Sequence, residues 1–269
     1  MVAQMFQGRY RWIGVLIIVA YAGYFFLANR ETVPLTGRSQ VVDLSREEES
    51  ALGVQSYREI LSQSQVLADG PAVDQIRRIG QRLARVSEDP GFSWEFNLLQ
   101  SDQPNAFALP GGKVAVFTGI LPVAANEDGL AVIMGHEIAH AIARHGAERM
   151  AHEQLTEMAG MAVDLSLSEM SLTQRRTLMG ILGAGAKYGI MLPFSRDHES
   201  EADYMGLIFV ARACFDPREA PKVWERMGRL SSGAPSEFMS THPSSETRIR
   251  QFNEWMDEAL RIRAEHCDG

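Results

Sequence analysis

The chain has 269 residues, of which 45% are hydrophobic and 22% charged, so it can bury a sizeable core in one or two domains. Its formal net charge of −8 argues against a nucleic-acid partner, because phosphate binding requires a cationic surface. Two cysteines, Cys214 and Cys267, are too few for a disulfide framework. The sequence leaves open whether they pair.

An apolar run near the N-terminus predicts one transmembrane helix. "WIGVLIIVAYAGYFFLA", residues 12–28, has no charged residue and is flanked by Arg9, Arg11 and Arg30. Its length lies at the short end of the roughly 17–25 residues that cross a bilayer as a helix. A cleaved signal peptide is the alternative, since "AYAG" offers small residues at a cleavage spacing. The apolar run continues past that point, which favours a retained anchor.

The charges on either side of the run predict its orientation. Basic residues precede it and the acidic stretch "REEES" follows, so we expect a short cytoplasmic N-terminus and an exported catalytic domain. A periplasmic domain on a bacterial inner membrane is the preferred setting, with an organelle inner membrane as the alternative. The predicted organisation is a tail (1–11), an anchor (12–29), a tether (30–42) and one domain (43–269).

Most of the predicted elements after the tether are helices. Asp43 or Ser45 precedes a run of acids, as at a helix N-terminus, and apolar residues then recur at helical spacing in two segments before Pro90. "NAFALPGGKVAVFTGIL" places two apolar runs around Pro-Gly-Gly, which predicts a β-hairpin. The segment "MGILGAGAKYGIMLP", residues 179–193, is apolar but short and contains Lys187. We therefore expect a buried or groove-lining helix there and not a second membrane span.

The stretch "GHEIAH" predicts a zinc site on a helix whose N-cap is Asn126. His136 and His140, four residues apart, project from the same helix face and can bind one metal ion. Glu137 can take a proton from a metal-activated water without binding the metal. His145 lies about half a turn away around a continuous helix, so it is expected to be a histidine at the C-terminal end of this helix and not a ligand.

A third protein ligand must come from another segment, and "SRDHESEADYMG" is the best candidate. Glu199 and Asp203 share a helix face there, so Glu199 could complete the coordination while Asp203 accepts the ring N–H of a ligand histidine. An acidic, solvent-exposed start of a helix explains the same residues equally well from spacing alone.

Four blocks in the same order resemble the zinc metallopeptidases of family 48, which include the HtpX, CAAX prenyl, Oma-type and Bep-type proteases. They are "NAFALPGGKVAVFTGIL", "GHEIAHAIARH", "LPFSRDHESEADYMG" and "STHPSSETRI". The single predicted span resembles the Oma-like form. The resemblance implies a gluzincin-type α+β domain, mostly helical, with a small sheet beside the active-site helix, one Zn²⁺ per chain, and Glu199 as the third ligand.

The resemblance also implies roles for residues that spacing does not select. Asn105 and Ala106 would lie on an edge strand that pairs with the substrate backbone. His242 would stabilise the oxyanion or occupy the open zinc position in a latent state. Arg248 would help to polarise the scissile carbonyl.

The expected function is a membrane-anchored zinc endopeptidase. Its expected substrates are unfolded or extended segments of membrane or envelope proteins, in protein quality control. The alternative is a non-catalytic or latent zinc-bound scaffold or holdase that binds unfolded chains in the same cleft. The sequence leaves the oligomeric state and the cleavage preference open.

Overall fold

The computed structural model describes residues 2–88, 91–187, 191–230, 242 and 246–267, and for residues 2–10, 192–194 and 230 it describes the backbone alone. This part of the chain is mostly helical with two small sheets. The helices are α1 (Val2–Ala28), α2 (Arg46–Ser62), α3 (Pro71–Ala84), α4 (Leu121–Ala124), α5 (Glu127–Ile142), α6 (His145–Ser166), α7 (Leu172–Ala186), α8 (Leu192–Arg212), α9 (Glu219–Leu230) and α10 (Glu246–Cys267). The strands are β1 (Arg30–Thr32), β2 (Ser39–Val41), β3 (Val66–Leu67), β4 (Glu95–Leu99), β5 (Ala106–Leu109) and β6 (Lys113–Phe117).

The chain divides into two compact units. The first comprises Met1–Val33, Gly37–Leu44 and His145–Asp197. The second comprises Pro34–Thr36, Ser45–Arg144 and His198–Gly269.

The first unit is built around the N-terminal helix. α1 contains one window, Arg11–Ala28, that is long and apolar enough to cross a membrane. The segment interpreted as a tether, residues 30–42, itself contains an antiparallel pair of strands, in which Arg30 lies opposite Val41. Phe25, Val41 and Ala151 form a small buried cluster that packs α6 against α1 and β2.

The second unit contains a four-stranded sheet in the order β3-β4-β6-β5, in which only β4 and β6 run parallel. Helix α2 covers one face through Tyr57, which packs with Leu99 and Ala115. Helices α3 and α5 lie against the other face, where Gly80 of α3 sits directly on the ring of Phe96. β5 is an edge strand that contacts α5, so the sheet presents its edge beside that helix.

Local signals in the sequence correctly predicted these elements. Ser45 is the N-cap of α2 in a complete capping box with Glu48. The predicted hairpin is confirmed as β5 and β6, with positive φ at both Gly111 and Gly112 in the connection. The side chain of Asn126 caps α5 by accepting a hydrogen bond from the backbone of Gly129.

Two features differ from the expectations or extend them. α7 covers residues 179–186 of the apolar segment 179–193 and has no buried residue, so the expectation of a buried helix is wrong for this part, and the groove-lining alternative stays a prediction. Residues 188–190 and the side chains of residues 192–194 lie outside the described part. Cys214 and Cys267 form a disulfide that joins the segment after α8 to the end of α10.

Candidate active site

Helix α5 brings the two motif histidines together. The helix is buried along most of its length, and only 2% of His136 is exposed. The Nε2 atoms of His136 and His140 lie 3.1 Å apart, as expected for imidazoles one turn apart on the same helix face. The local sequence therefore preorganises two ligand atoms toward one point.

Two residues from later segments complete this cluster. The Glu199 carboxylate of α8 lies 3.5 Å from His136 Nε2 and 3.4 Å from His140 Nε2. His242 places its Nδ1 3.2 Å from His136 Nε2 and 2.9 Å from Glu199 Oε1. Four ligand atoms, one from each of these residues, all lie within 4.8 Å of one another.

Close packing of α5 on α8 brings Glu199 to the histidines. A methyl group at Gly206 would stand only 2.9 Å from the backbone nitrogen of His136. Such a separation permits no side chain at Gly206 without movement of a helix. A glycine at position 206 therefore lets the two ligand-bearing helices approach each other closely.

Asp203 and Arg248 support the cluster from behind. Asp203 Oδ1 lies 3.0 Å from His136 Nδ1. Arg248 donates to both oxygens of Asp203 at 2.6 Å each and to Glu199 at 3.0 Å. Its guanidinium carbon also lies 3.5 Å from the centre of the Trp224 ring, a cation–π arrangement. These contacts fix the positions of two carboxylates and, through Asp203, one histidine ring.

The electrostatics of the cluster follow from burial and from these contacts. Burial would lower the pKa of His136, but hydrogen bonds to Asp203 and Glu199 outweigh it and raise that pKa to about 9. Burial would raise the pKa of Glu199, but hydrogen bonds from His136, His140 and His242 hold it below its ordinary value. Burial would also raise the pKa of Asp203, and the Arg248 charge lowers it instead. Both carboxylates are thus ionised in the folded chain.

The cluster fits a divalent metal ion. Bonds of about 2.0–2.1 Å in tetrahedral zinc sites separate neighbouring ligand atoms by roughly 3.4 Å, close to the 3.1–3.5 Å between the atoms of His136, His140 and Glu199. Glu137, Glu199 and Asp203 are three buried carboxylates near one buried guanidinium, Arg248. With both histidines neutral, as metal ligands must be, three ionised carboxylates and one guanidinium leave a formal −2, which a divalent cation balances.

Glu137 lies between this cluster and the edge strand. Burial is the main cause that raises the pKa of its carboxyl above the ordinary value. The carboxyl accepts a hydrogen bond from the backbone N–H of Ala108 in β5. Its Oε1 atom is buried with no hydrogen-bond partner in the part of the chain that the structure describes. A buried acceptor of this kind, beside a candidate metal site, suits a bound water.

The backbone groups of alternate residues in β5 point to the outer edge of the sheet. Phe117 N–H donates to the Asn105 carbonyl at 2.9 Å, so residues 105, 107 and 109 form the hydrogen-bonded pairs with β6. The backbone groups of Ala106 and Ala108 therefore face away from β6. The side-chain Oδ1 of Asn105 accepts the Ala106 N–H at 2.9 Å. Carbonyl groups on this edge can receive a further extended chain.

Comparison with known proteins identifies the family. Residues 72–256 match the model of peptidase family M48. The chain is 38% identical to the mitochondrial metalloendopeptidase OMA1 of Schizosaccharomyces pombe, over 97% of this chain and 76% of that protein. The chain belongs to peptidase family M48. The OMA1 protein of Saccharomyces cerevisiae is 34% identical over 88% of this chain and 72% of its own length. The β-barrel assembly-enhancing protease of Escherichia coli is 31% identical over 83% of this chain and 47% of its own length.

Membership in this family makes the chain a metalloendopeptidase. The structure brings together all of the residues that the sequence selected as metal ligands, namely His136, His140 and Glu199, together with His242. Asp203 lies at the His136 ring, as its spacing suggested.

One residue of the M48 domain lies differently from the expectation. Arg144 has a φ of 61°, which ends α5, so His145 begins α6 and does not end the active-site helix. The expectation that His145 ends this helix assumed a continuous helix and is wrong. Arg248 directs all three of its guanidinium nitrogens at Asp203 and Glu199.

Sequence reasoning missed two residues of this site. Trp224 of α9 is 2% exposed and packs edge-on against the His136 ring, with ring centres 5.6 Å apart. A tryptophan about ninety residues away carries no signal of that contact in the sequence. Ala108 is the second, and the alternation of backbone groups in an antiparallel strand could have indicated it once Ala106 was chosen.

Proposed function

We propose that this M48 peptidase is a zinc endopeptidase that is held at a membrane and cleaves extended or unfolded segments of membrane or envelope proteins in protein quality control. The observation that carries the proposal is the cluster of His136, His140 and Glu199, with Glu137 between the cluster and the edge strand β5. A general base, a metal-ligand set and a strand-pairing edge are the three parts that hydrolysis of an extended peptide requires.

His136, His140 and Glu199 would hold one Zn²⁺ per chain. When bound, zinc polarises the peptide carbonyl and lowers the pKa of water. Asp203 fixes the orientation of His136 by accepting its ring N–H, and Arg248 holds Asp203 and Glu199 in place. We therefore assign Arg248 a positioning role in place of the carbonyl-polarising role that the resemblance suggested.

Glu137 acts as the general base and then as the general acid. Its carboxylate takes a proton from the attacking water and delivers it to the amine that leaves. Burial raises the pKa of this carboxyl. After Glu137 has taken the proton from water, it therefore keeps that proton long enough to pass it to the leaving amine. The Ala108 N–H fixes the carboxylate beside the sheet edge.

The edge strand β5 is the proposed substrate-binding element; Ala106 is its first residue and Asn105 directly precedes it. The carbonyls of Ala106 and Ala108 would accept N–H groups of a substrate that adds as a further strand. Recognition through the backbone requires an extended chain and selects weakly for side chains, which explains the proposed preference for unfolded segments.

His242 has two candidate roles, and its contacts favour the latent one. Its Nδ1 lies within 3.2 Å of His136 Nε2 and 2.9 Å of Glu199 Oε1, where a fourth ligand would lie. Its Nε2 is 3.7 Å from the Glu137 carboxylate, near the position of the attacking water. In this arrangement His242 would hold the open metal position until substrate displaces it.

Helix α1 is the proposed membrane anchor. Only 6% of its Arg11–Ala28 window is buried within the chain, unlike the core helix of a soluble domain. The charges around the window favour a catalytic domain on the exported side, which is the periplasm in a bacterium. Digestion of the C-terminus by an external protease in spheroplasts would support this orientation, and protection from digestion would refute it.

Substitution of the proposed base tests the catalytic part of this proposal. We expect Glu137→Gln to lower the cleavage of fluorescein-labelled casein by about 10²–10⁴-fold while the zinc content, measured by mass spectrometry, stays at one per chain. Glu127→Gln, on the exposed first turn of the same helix, is the matched control and should be as active as the parent. Full activity of Glu137→Gln would overturn the assignment.

A second variant separates a latent protease from a scaffold that never cleaves. If His242 holds the open metal position, His242→Ala should increase casein cleavage. If His242 serves the reaction itself, the same variant should lower it. A zinc-loaded chain that cleaves no casein with either residue at position 242 would refute the protease assignment and favour a holdase.

A further inference from the structure

Helix α7 in the first unit is apolar and exposed. Residues 177–186 contain no charged side chain, and Arg176 and Lys187 flank them. Ile181 is 63% exposed, Leu182 44% and Leu172 68%. Contiguous apolar surface of this kind marks an interface with a protein or a membrane.

The neighbour of α7 runs beside the proposed membrane anchor. Helix α6 is antiparallel to α1, because Phe25 near the end of α1 packs with Ala151 near the start of α6. Further along, Gly14 lies against Leu165. At the far end, Arg11 pairs with Glu169 at 2.7 Å, just beyond α6. The two helices therefore remain side by side over the whole apolar window of α1.

Helix α7 returns along α6 and so shares this depth. Arg175 pairs with Asp164, and Met179 lies at Gly160. Both contacts fit one antiparallel register. Continued along the helices, this register places the uncharged part of α7 level with roughly residues 15–25 of α1, the middle of its apolar window. The turn between α6 and α7 lies level with Arg11.

The dimensions of the hairpin match those of a bilayer. The 22 residues of α6 span about 33 Å, and the hydrocarbon core is about 30 Å thick. The uncharged part of α7 covers about 15 Å, which is half of that thickness. The polar turn and the pair Arg11–Glu169 lie at one boundary, and Lys187 lies toward the other.

We propose that the α6–α7 hairpin enters the bilayer beside α1, and that the exposed apolar face of α7 contacts lipid acyl chains. This inference rests on the anchor role proposed for α1. Asp164 enters as an ion pair with Arg175, which reduces its cost in a membrane. By the same register, Glu153 on α6 lies level with the last turns of α1, and Glu157 lies one turn deeper, near the middle of the α1 window. A helix that faces lipid takes the place of the buried or groove-lining helix expected from the sequence.

Site-directed fluorescence tests the depth of α7 in the full-length protein. Single cysteines replace Ile181, Ile17 and Leu52, each is labelled with bimane, and the protein is placed at one copy per nanodisc with or without doxyl-labelled phospholipid. Ile17 on α1 has the same 63% exposure as Ile181, and Leu52 on α2 is 46% exposed. Cys214 and Cys267 are bonded to each other, and the unsubstituted chain serves as the labelling blank.

We expect doxyl lipid to quench the probes at positions 181 and 17 to a similar extent and to leave the probe at 52 unchanged. An impermeant maleimide should react with the unlabelled cysteine at 181 at least about tenfold more slowly than with the one at 52, because the reactive thiolate requires water. Quenching at 17 without quenching at 181 would overturn the inference and leave the anchor intact. Absence of quenching at both positions would overturn the anchor and the inference together.

A second copy of the chain is the competing occupant of this surface. In that case the cysteine at 181 would react rapidly in single-copy nanodiscs and slowly only in densely loaded vesicles. That result would also overturn contact with lipid.

Discussion

Replacement of Arg248 by methionine should weaken metal binding and destabilise the fold together. The guanidinium donates three hydrogen bonds of 2.6, 2.6 and 3.0 Å to Asp203 and Glu199. The Arg248 side chain is 5% exposed, that of Asp203 0% and that of Glu199 9%. Methionine fills similar volume but leaves two ionised carboxylates buried without their cation.

The structure sets the size of this effect. Removal of one partner from a buried ion pair costs about 3–5 kcal/mol, because the other charge is left uncompensated. Asp203 would also lose the groups that fix it against His136, and loss of such an outer contact lowers metal affinity by about 10–100-fold. Arg248→Lys should recover only part of either loss, since an ammonium cannot bond both oxygens of Asp203 in a planar fork.

Two measurements check this reasoning on detergent-solubilised, full-length protein. Urea unfolding followed by tryptophan fluorescence gives the change in stability, and competition with a chromogenic chelator gives the zinc affinity. Arg250→Met is the matched control, because Arg250 lies exposed on the same helix with one bond of 3.3 Å to Thr247. Reduced cleavage by Arg248→Met with stability and zinc affinity unchanged would refute the positioning role and restore the carbonyl-polarising one.

Three further predictions concern packing, charge and metal. Gly206→Ala should lower the free energy of unfolding by about 1–3 kcal/mol and weaken zinc binding, because its methyl group would meet the backbone of α5 at 2.9 Å. Gly180→Ala is the control, since nothing lies within 4 Å of its new methyl group. Equal effects of the two substitutions would contradict the packing argument. Glu49→Gln should lower the free energy of unfolding in urea by about 3–5 kcal/mol, because it breaks the 2.7 Å ion pair with Arg144, whose side chain is 1% exposed. Glu47→Gln, at an exposed position, should leave the stability unchanged. Chelation of the metal should reversibly lower the midpoint temperature of unfolding, since a ligand at about 100 times its Kd stabilises the native state by about 2.7 kcal/mol. An unchanged midpoint would argue against a metal bound within this cluster.

The elements that sequence reasoning predicted best are those with local causes. A capping box at Ser45 and a Pro-Gly-Gly connection between β5 and β6 each act within a few residues, and both are confirmed. The pair His136 and His140 follows from helical spacing alone. Glu199 could not be chosen from spacing, because an acidic helix start explains it equally well. Only the family resemblance selected it.

The features that sequence reasoning missed depend on distant contacts. α5 ends because Arg144 adopts a positive φ, and this arginine is held by a buried ion pair with Glu49, 95 residues earlier. Nothing near position 144 in the sequence signals that partner. The apolar composition of α7 indicated burial, but composition does not distinguish protein from lipid as the surrounding medium.

Charge balance explains why the site requires parts so far apart in the chain. α5 contributes two neutral ligands and Glu137, and α8 contributes Glu199 and Asp203, so these helices alone would place three carboxylates at the cluster. Arg248 of α10 removes one negative charge, and it stacks on Trp224 of α9, which also contacts His136. The remaining formal −2 matches one divalent cation. The C-terminal helices therefore belong to the metal site as much as the motif helix does, because without Arg248 the three carboxylates would carry a formal −3 that a single divalent ion could not balance.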